Sequence, residues 1–148
     1  MINRKIATAI AMAGAMVATP AFAALDNDSA TVSMNVGLFA SLTGLDDFVL
    51  NTAGTDGAAG AIYTGSDNFN LESNGQVRVS LSGGDLSAGD DSVATEYALD
   101  SSGLTFDTTS NSVHNAQHTV SATATLGEIS AQRAGAYSSV ITLTVSAI

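Results

Sequence analysis

Tyr137-Ser138-Ser139-Val140-Ile141-Thr142-Leu143-Thr144-Val145 ends in strict alternation, with Ile141, Leu143 and Val145 on one side and Thr142 and Thr144 on the other. Successive side chains of an extended chain point to opposite faces, so this spacing predicts a strand with one buried face and not a helix. The same period recurs upstream. Val32, Met34, Val36 and Leu38 alternate with Thr31, Ser33, Asn35 and Gly37. Val77, Val79 and Leu81 oppose Gln76, Arg78 and Ser80, and Val120, Ala122, Ala124 and Leu126 share a face. Shorter strands are expected at Leu45–Leu50, Ala61–Tyr63, Phe69–Leu71, Thr95–Leu99 and Leu104–Asp107.

Turn-forming residues separate these runs: residues 51–57, Ser73-Asn74-Gly75, Ser82-Gly83-Gly84-Asp85 and Ser101-Ser102-Gly103. Glycine supplies positive φ in such turns, and Asn or Asp tolerates it. Many short half-buried strands without helical segments between them predict an all-β antiparallel sandwich. A membrane β-barrel would want aromatic girdles at both interfaces, and this chain has no Trp and few other aromatics. There is no internal repeat, and the small-residue tract 53–60 reads as a surface loop.

The first residues carry a different signal. Met1-Ile2-Asn3-Arg4-Lys5 is a short basic segment, followed by a small-apolar run from Ile6 to Ala18 and then Thr19-Pro20-Ala21-Phe22-Ala23. That order predicts a secretory signal peptide over 1–23, cleaved after Ala23. The apolar run is short of the roughly 20 residues needed to span a bilayer core. The expected mature chain, 24–148, is one domain with no membrane span, exported through the inner membrane to the cell surface or an extracellular fibre. It holds two arginines, Arg78 and Arg133, against all 14 acidic residues, a net charge of −12. Such a surface repels nucleic acid and anionic lipid. With no cysteine, neither a disulfide framework nor a thiolate metal site is available.

Catalytic constellations do not assemble in the sequence, and no cofactor is expected. His114 and His118 stand four apart in a polar stretch and read as loop histidines. Serines and threonines abound, but a nucleophilic hydroxyl needs a positioned base and an orienting acid, and no Gly-x-Ser-x-Gly elbow occurs. Asp46/Asp47 and Asp90/Asp91 are adjacent pairs, whose side chains diverge in extended chain and so are not poised acid–base pairs. Asp26-Asn27-Asp28 and the tract Asp85 to Asp91 offer oxygen ligands suited to calcium, but neither follows the EF-hand spacing nor a glycine-rich calcium repeat. Solvated acidic loops are the plainer reading of both.

The two ends carry the most mechanistic content. A polar leader, Asp26 to Ala30, precedes the alternating segment Val32–Leu38, and Ala134-Gly135-Ala136-Tyr137 introduces the closing strand. This arrangement resembles the cysteine-free major subunits of chaperone–usher fimbriae, especially the alpha-class, colonisation-factor-type pilins. Residues 134–145 fit their closing Ala-Gly-x-Tyr-Ser pattern and its alternating strand, residues 30–45 fit the opening loosely, and the middle of the chain is unmatched. The resemblance implies an incomplete Ig-like sandwich whose groove is filled by a neighbour's N-terminal segment, here about 28–40. Val32, Met34, Val36 and Leu38 would be the donated side chains, and Ile141, Leu143 and Val145 would line the receiving groove. It further implies a homopolymer, a periplasmic chaperone, an outer-membrane usher and a role in adhesion or biofilm.

The alternation itself leaves two arrangements open. The N-terminal strand can pair within its own chain, completing a monomer, or within a neighbour's. The expected function is a structural fibre subunit. The alternative is a self-contained exported binding module for polysaccharide or calcium, and an exported enzyme ranks last.

Overall fold

The computed structural model describes residues 28–148, so the leader expected at 1–23 and the residues Asp26 and Asn27 lie outside the described residues. One compact unit comprises Asn35–Ile148. Its nine strands are β1 (Ala40–Thr43), β2 (Ile62–Ser73), β3 (Val77–Gly83), β4 (Leu86–Ala88), β5 (Asp91–Val93), β6 (Thr95–Leu99), β7 (Thr105–Asp107), β8 (His114–Thr125) and β9 (Ile141–Ala147). All pairings are antiparallel. One sheet runs β1-β2-β8-β6, a second runs β7-β3-β9, and β4-β5 form a small hairpin. The fold is all-β and sandwich-like, as the alternation predicts.

The two main sheets meet through their apolar faces. Phe69 and Leu71 of β2, Val120 of β8 and Leu99 of β6 pack against Val77, Val79 and Leu81 of β3, all buried. Each such side chain contributes about 1.5–3 kcal/mol by leaving water. The β2–β8 ladder is the spine, twelve residues a side from Ile62↔Thr125 to Ser73↔His114. Its inner face is uneven. Phe69, Leu71 and Val120 fill one end, while Gly65, Ala122 and Ala124 leave the other thinly packed. Buried Thr108 extends the β3–β7 edge. Its Oγ1 accepts the Val77 N–H at 2.9 Å, and its own amide donates to the Val77 carbonyl at 2.9 Å.

Several sequence expectations need correction. Leu45–Leu50 is not a strand. Gly44 adopts φ 84°, which ends β1, and the Asp46 amide donates to the Asp67 carboxylate at 2.6 Å in place of a backbone carbonyl. The segment rejoins β2 only at Asn51↔Thr64. The strands expected at Ala61–Tyr63 and Phe69–Leu71 fall on one long strand that begins at Ile62; Gly65 and Asp67 occupy its inner-face positions and interrupt the apolar pattern. His114 and His118 lie on β8 and not in a loop, and the strand begins six residues before Val120, where the apolar run starts. The Gly84–Asp91 tract holds the β4–β5 hairpin, with Gly89 at φ 68° in its two-residue turn, the glycine-first geometry that hairpins of this length favour. Residues 28–39 contain no strand, although their alternation is as regular as that of β9.

Candidate functional site

β9 is an edge strand. Its seven residues pair with β3 on one side, and no described strand pairs with the other. An edge leaves a row of backbone donors and acceptors available to a further strand. Along it, Ile141, Leu143 and Val145 are half-buried and turned toward the core, while Thr142 and Thr144 are exposed.

Across from β9 stands the edge of the other sheet, formed by β1 and then by residues 45–50. The space between the two edges is not filled. A trough of about 1050 Å³ lies at the thinly packed end, floored by Tyr97, Ala122, Ala124 and Val93 and walled by residues 45–50 and 134–141. A smaller hollow of about 320 Å³ continues it between Leu42–Leu45 and Ile141–Leu143. Small floor residues contribute to the volume, because Ala122 and Ala124 cannot bridge sheets about 10 Å apart.

Both walls are fixed by specific contacts. A Cβ at Gly65 would lie 2.6 Å from the Val49 carbonyl oxygen, so glycine there allows residues 45–50 to approach β2. On the other wall, the Tyr137 hydroxyl donates to the Arg133 carbonyl at 2.9 Å, closing a corner ahead of β9. Ser87 and Ser138 exchange backbone bonds of 3.0 and 3.1 Å, and Arg133 pairs with Asp91 at 2.7 Å. The tract that introduces the closing strand is thus docked on the β4–β5 hairpin. At the mouth, Tyr63 donates to Asp56, and this hydrogen bond is the main reason its hydroxyl pKa is raised.

The four apolar residues of the N-terminal segment are exposed: Val32 by 95%, Met34 by 86%, Val36 by 68% and Leu38 by 51%. Leu38 is the most covered because its methyl lies over Gly75, where a Cβ would be 2.7 Å away. Asn74 holds the same stretch. The Phe39 amide donates to Asn74 Oδ1 at 2.7 Å, Asn74 Nδ2 donates to the Gly37 carbonyl at 2.9 Å, and the Asn74 amide donates to the Phe39 carbonyl at 3.1 Å. Sequence reasoning identifies Ser73-Asn74-Gly75 only as a turn.

The remaining candidates fall elsewhere. Residues four apart on a strand are separated by about 14 Å, so His114 and His118 share a face without sharing an ion. His114 Nε2 contacts the Ser110 carbonyl at 2.7 Å. The His118 ring is stacked between Phe106 at 4.3 Å and Phe69 at 5.5 Å, which ties the two sheets together, and its Nδ1 meets Asp100 at 2.7 Å. Burial raises the Asp100 pKa, but hydrogen bonds from His118 and the Thr119 amide outweigh it and leave the carboxyl below its usual range. Arg78 grips Asp107 through two bonds of 2.7 and 2.8 Å, which lowers the carboxyl and raises the guanidinium. Asp46 and Asp47 lie in the irregular wall segment, Asp85 accepts the Thr95 amide at 3.0 Å, and Asp90 is in the β4–β5 turn. No group of three or more His, Asp or Glu side chains is arranged to hold a metal among the described residues. Among the same residues, no helix is long and apolar enough to cross a membrane.

A scan against known protein families matches none of them, and a search of curated proteins matches none either.

Proposed function

We propose that this chain is a structural subunit of an extracellular fibre, joined to its neighbours by strand donation. A single observation carries the reading. Among the described residues, the same chain has an alternating apolar segment with no strand partner and an unfilled trough beside an unpaired sheet edge. Neither is a comfortable end state. Exposed alternating side chains and open edges both favour association.

In the proposed joint, residues 30–36 of one copy add to the free side of β9 in the next. Main-chain hydrogen bonds supply affinity, and Val32, Met34 and Val36 enter the space above the small floor residues. Seven extended residues cover roughly 23 Å, enough to run the length of the seven-residue β9. Burying three such side chains contributes about 5–9 kcal/mol before ordering costs. The contact is head to tail, so repetition generates an open filament and not a closed ring. Export, a periplasmic chaperone, an outer-membrane usher and a role in adhesion or biofilm belong to this proposal.

Unheated electrophoresis of purified material tests it, with wild type compared to Val36→Asp. The expected result is a ladder for wild type and its loss in the variant. A charged residue on the buried face of the donated strand that leaves the ladder intact refutes strand donation.

A further inference from the structure

Resting on the strand-donation reading, we infer that Asn74 is a positioning residue that directs the N-terminal segment to a second copy of the chain and away from its own groove. Intramolecular filling is topologically available. β1 begins where the segment ends, so a tight reversal at residues 36–39 would lay 28–36 alongside β1, between it and β9 of the same chain. Such a reversal closes with a bond from the Phe39 amide to the Val36 carbonyl. It also needs positive φ at one or both central residues, Gly37 and Leu38, to match the twist of the strands.

Asn74 removes both conditions. Its Oδ1 already takes the Phe39 amide at 2.7 Å, and its Nδ2 binds the Gly37 carbonyl at 2.9 Å. Gly37 lies outside the left-handed region, although nothing would obstruct a Cβ there and its backbone is free to adopt it. Leu38 is pressed on Gly75, so this residue stays with its own subunit and the donated stretch ends at Val36. The clamp grips the backbone of residues 37 and 39, and its own residue sits in the β2–β3 turn, which no partner strand needs to displace.

Two side-chain hydrogen bonds of this kind hold the clamped arrangement by roughly tenfold or more. The experiment compares wild type, Val36→Asp and Asn74→Ala, each purified as the full chain from the periplasm of an exporting cell. Size is read by light scattering and fold by far-ultraviolet circular dichroism and melting. Asn74→Ala is expected to shift mass from oligomer to monomer by roughly tenfold, and its monomer is expected to melt above the Val36→Asp monomer because its own segment now fills the groove. An Asn74→Ala protein that assembles like wild type, while Val36→Asp does not, overturns the clamp and leaves strand donation standing. If Val36→Asp itself assembles normally, strand donation fails and the clamp with it. Should Asn74→Ala lose its β-sheet signal, Asn74→Asp, which keeps an acceptor for Phe39 but not the donor to Gly37, is judged by the same criterion.

Discussion

Gly65→Ala probes the wall of the trough directly. The new methyl would lie 2.6 Å from the Val49 carbonyl oxygen, 3.1 Å from its carbonyl carbon and 2.8 Å from Leu50 Cδ2. Leu50 can rotate, but the Val49 carbonyl is backbone, held close by the Asn51–Thr64 bridge with its two 2.9 Å bonds. Relief therefore requires residues 45–50 to lift away from β2. Overpacking of this kind costs about 1–3 kcal/mol. Replacing glycine also restricts the unfolded chain, which returns about 0.4–1 kcal/mol. The net expectation is a loss of about 1–2 kcal/mol, or roughly 4–8 °C in Tm for a domain of this size. Gly135→Ala is the control. Nothing lies within 4 Å of its Cβ position and its φ is ordinary, so it should be neutral or stabilising by up to about 1 kcal/mol. Urea unfolding followed by circular dichroism measures both. A Gly65→Ala protein as stable as the control would mean that residues 45–50 do not lie against β2, and the wall of the proposed groove would go with them.

Other substitutions test the core and the polar joints. Leu99→Ala removes a fully buried side chain from between the sheets and should cost about 2–5 kcal/mol in the same denaturation assay. Thr108→Val keeps the shape but orphans the buried Val77 N–H, for an expected loss of about 1–3 kcal/mol. Asp100 has a folded pKa below its usual range, so its contribution is complete above the ordinary carboxylate pKa near 4 and is lost as pH falls through the lower folded value. Asp100→Asn, which also tolerates the φ of 47° at this position, should flatten the acid limb of the stability profile. An unchanged slope below about pH 4 would show that the carboxylate is not held by His118 and Thr119.

Period-two alternation made the sandwich legible because each main strand has one buried face. β3, β6 and β9 follow their apolar patterns to within a few residues. The pattern failed where side chains other than apolar ones face inward. Asp67 and Gly65 split β2 in the sequence, and His118, an inward residue packed between two phenylalanines, hid the first half of β8. Leu45–Leu50 failed for the opposite reason, since its hydrophobes are real but a left-handed Gly44 and a side-chain acceptor redirect the backbone. Of the candidate site, the inward set Ile141, Leu143 and Val145 was readable from spacing alone. The trough was not, because it depends on which small residues of β2 and β8 come into register, and register is not written in either strand alone. Asn74 was invisible for a related reason. Its partners Gly37 and Phe39 lie more than thirty residues away, and only the fold brings the β2–β3 turn to the start of β1.

The four-residue ladder of β1 on β2, from Ala40↔Ser73 to Thr43↔Asn70, has a mechanical consequence. β1 begins immediately after the Asn74 clamp, so tension entering through residues 37–39 reaches the body of the protein at Ala40. Pulled along the axis of the strand, the β1–β2 bonds are strained together, in shear, and must yield as a group. Pulled across that axis, they would break in succession, beginning at Ala40. A chain loaded through its N-terminal segment is therefore stiff in one direction and easily peeled in another, and an optical trap attached at residue 28 would read the difference as a rupture force that depends on the pulling geometry.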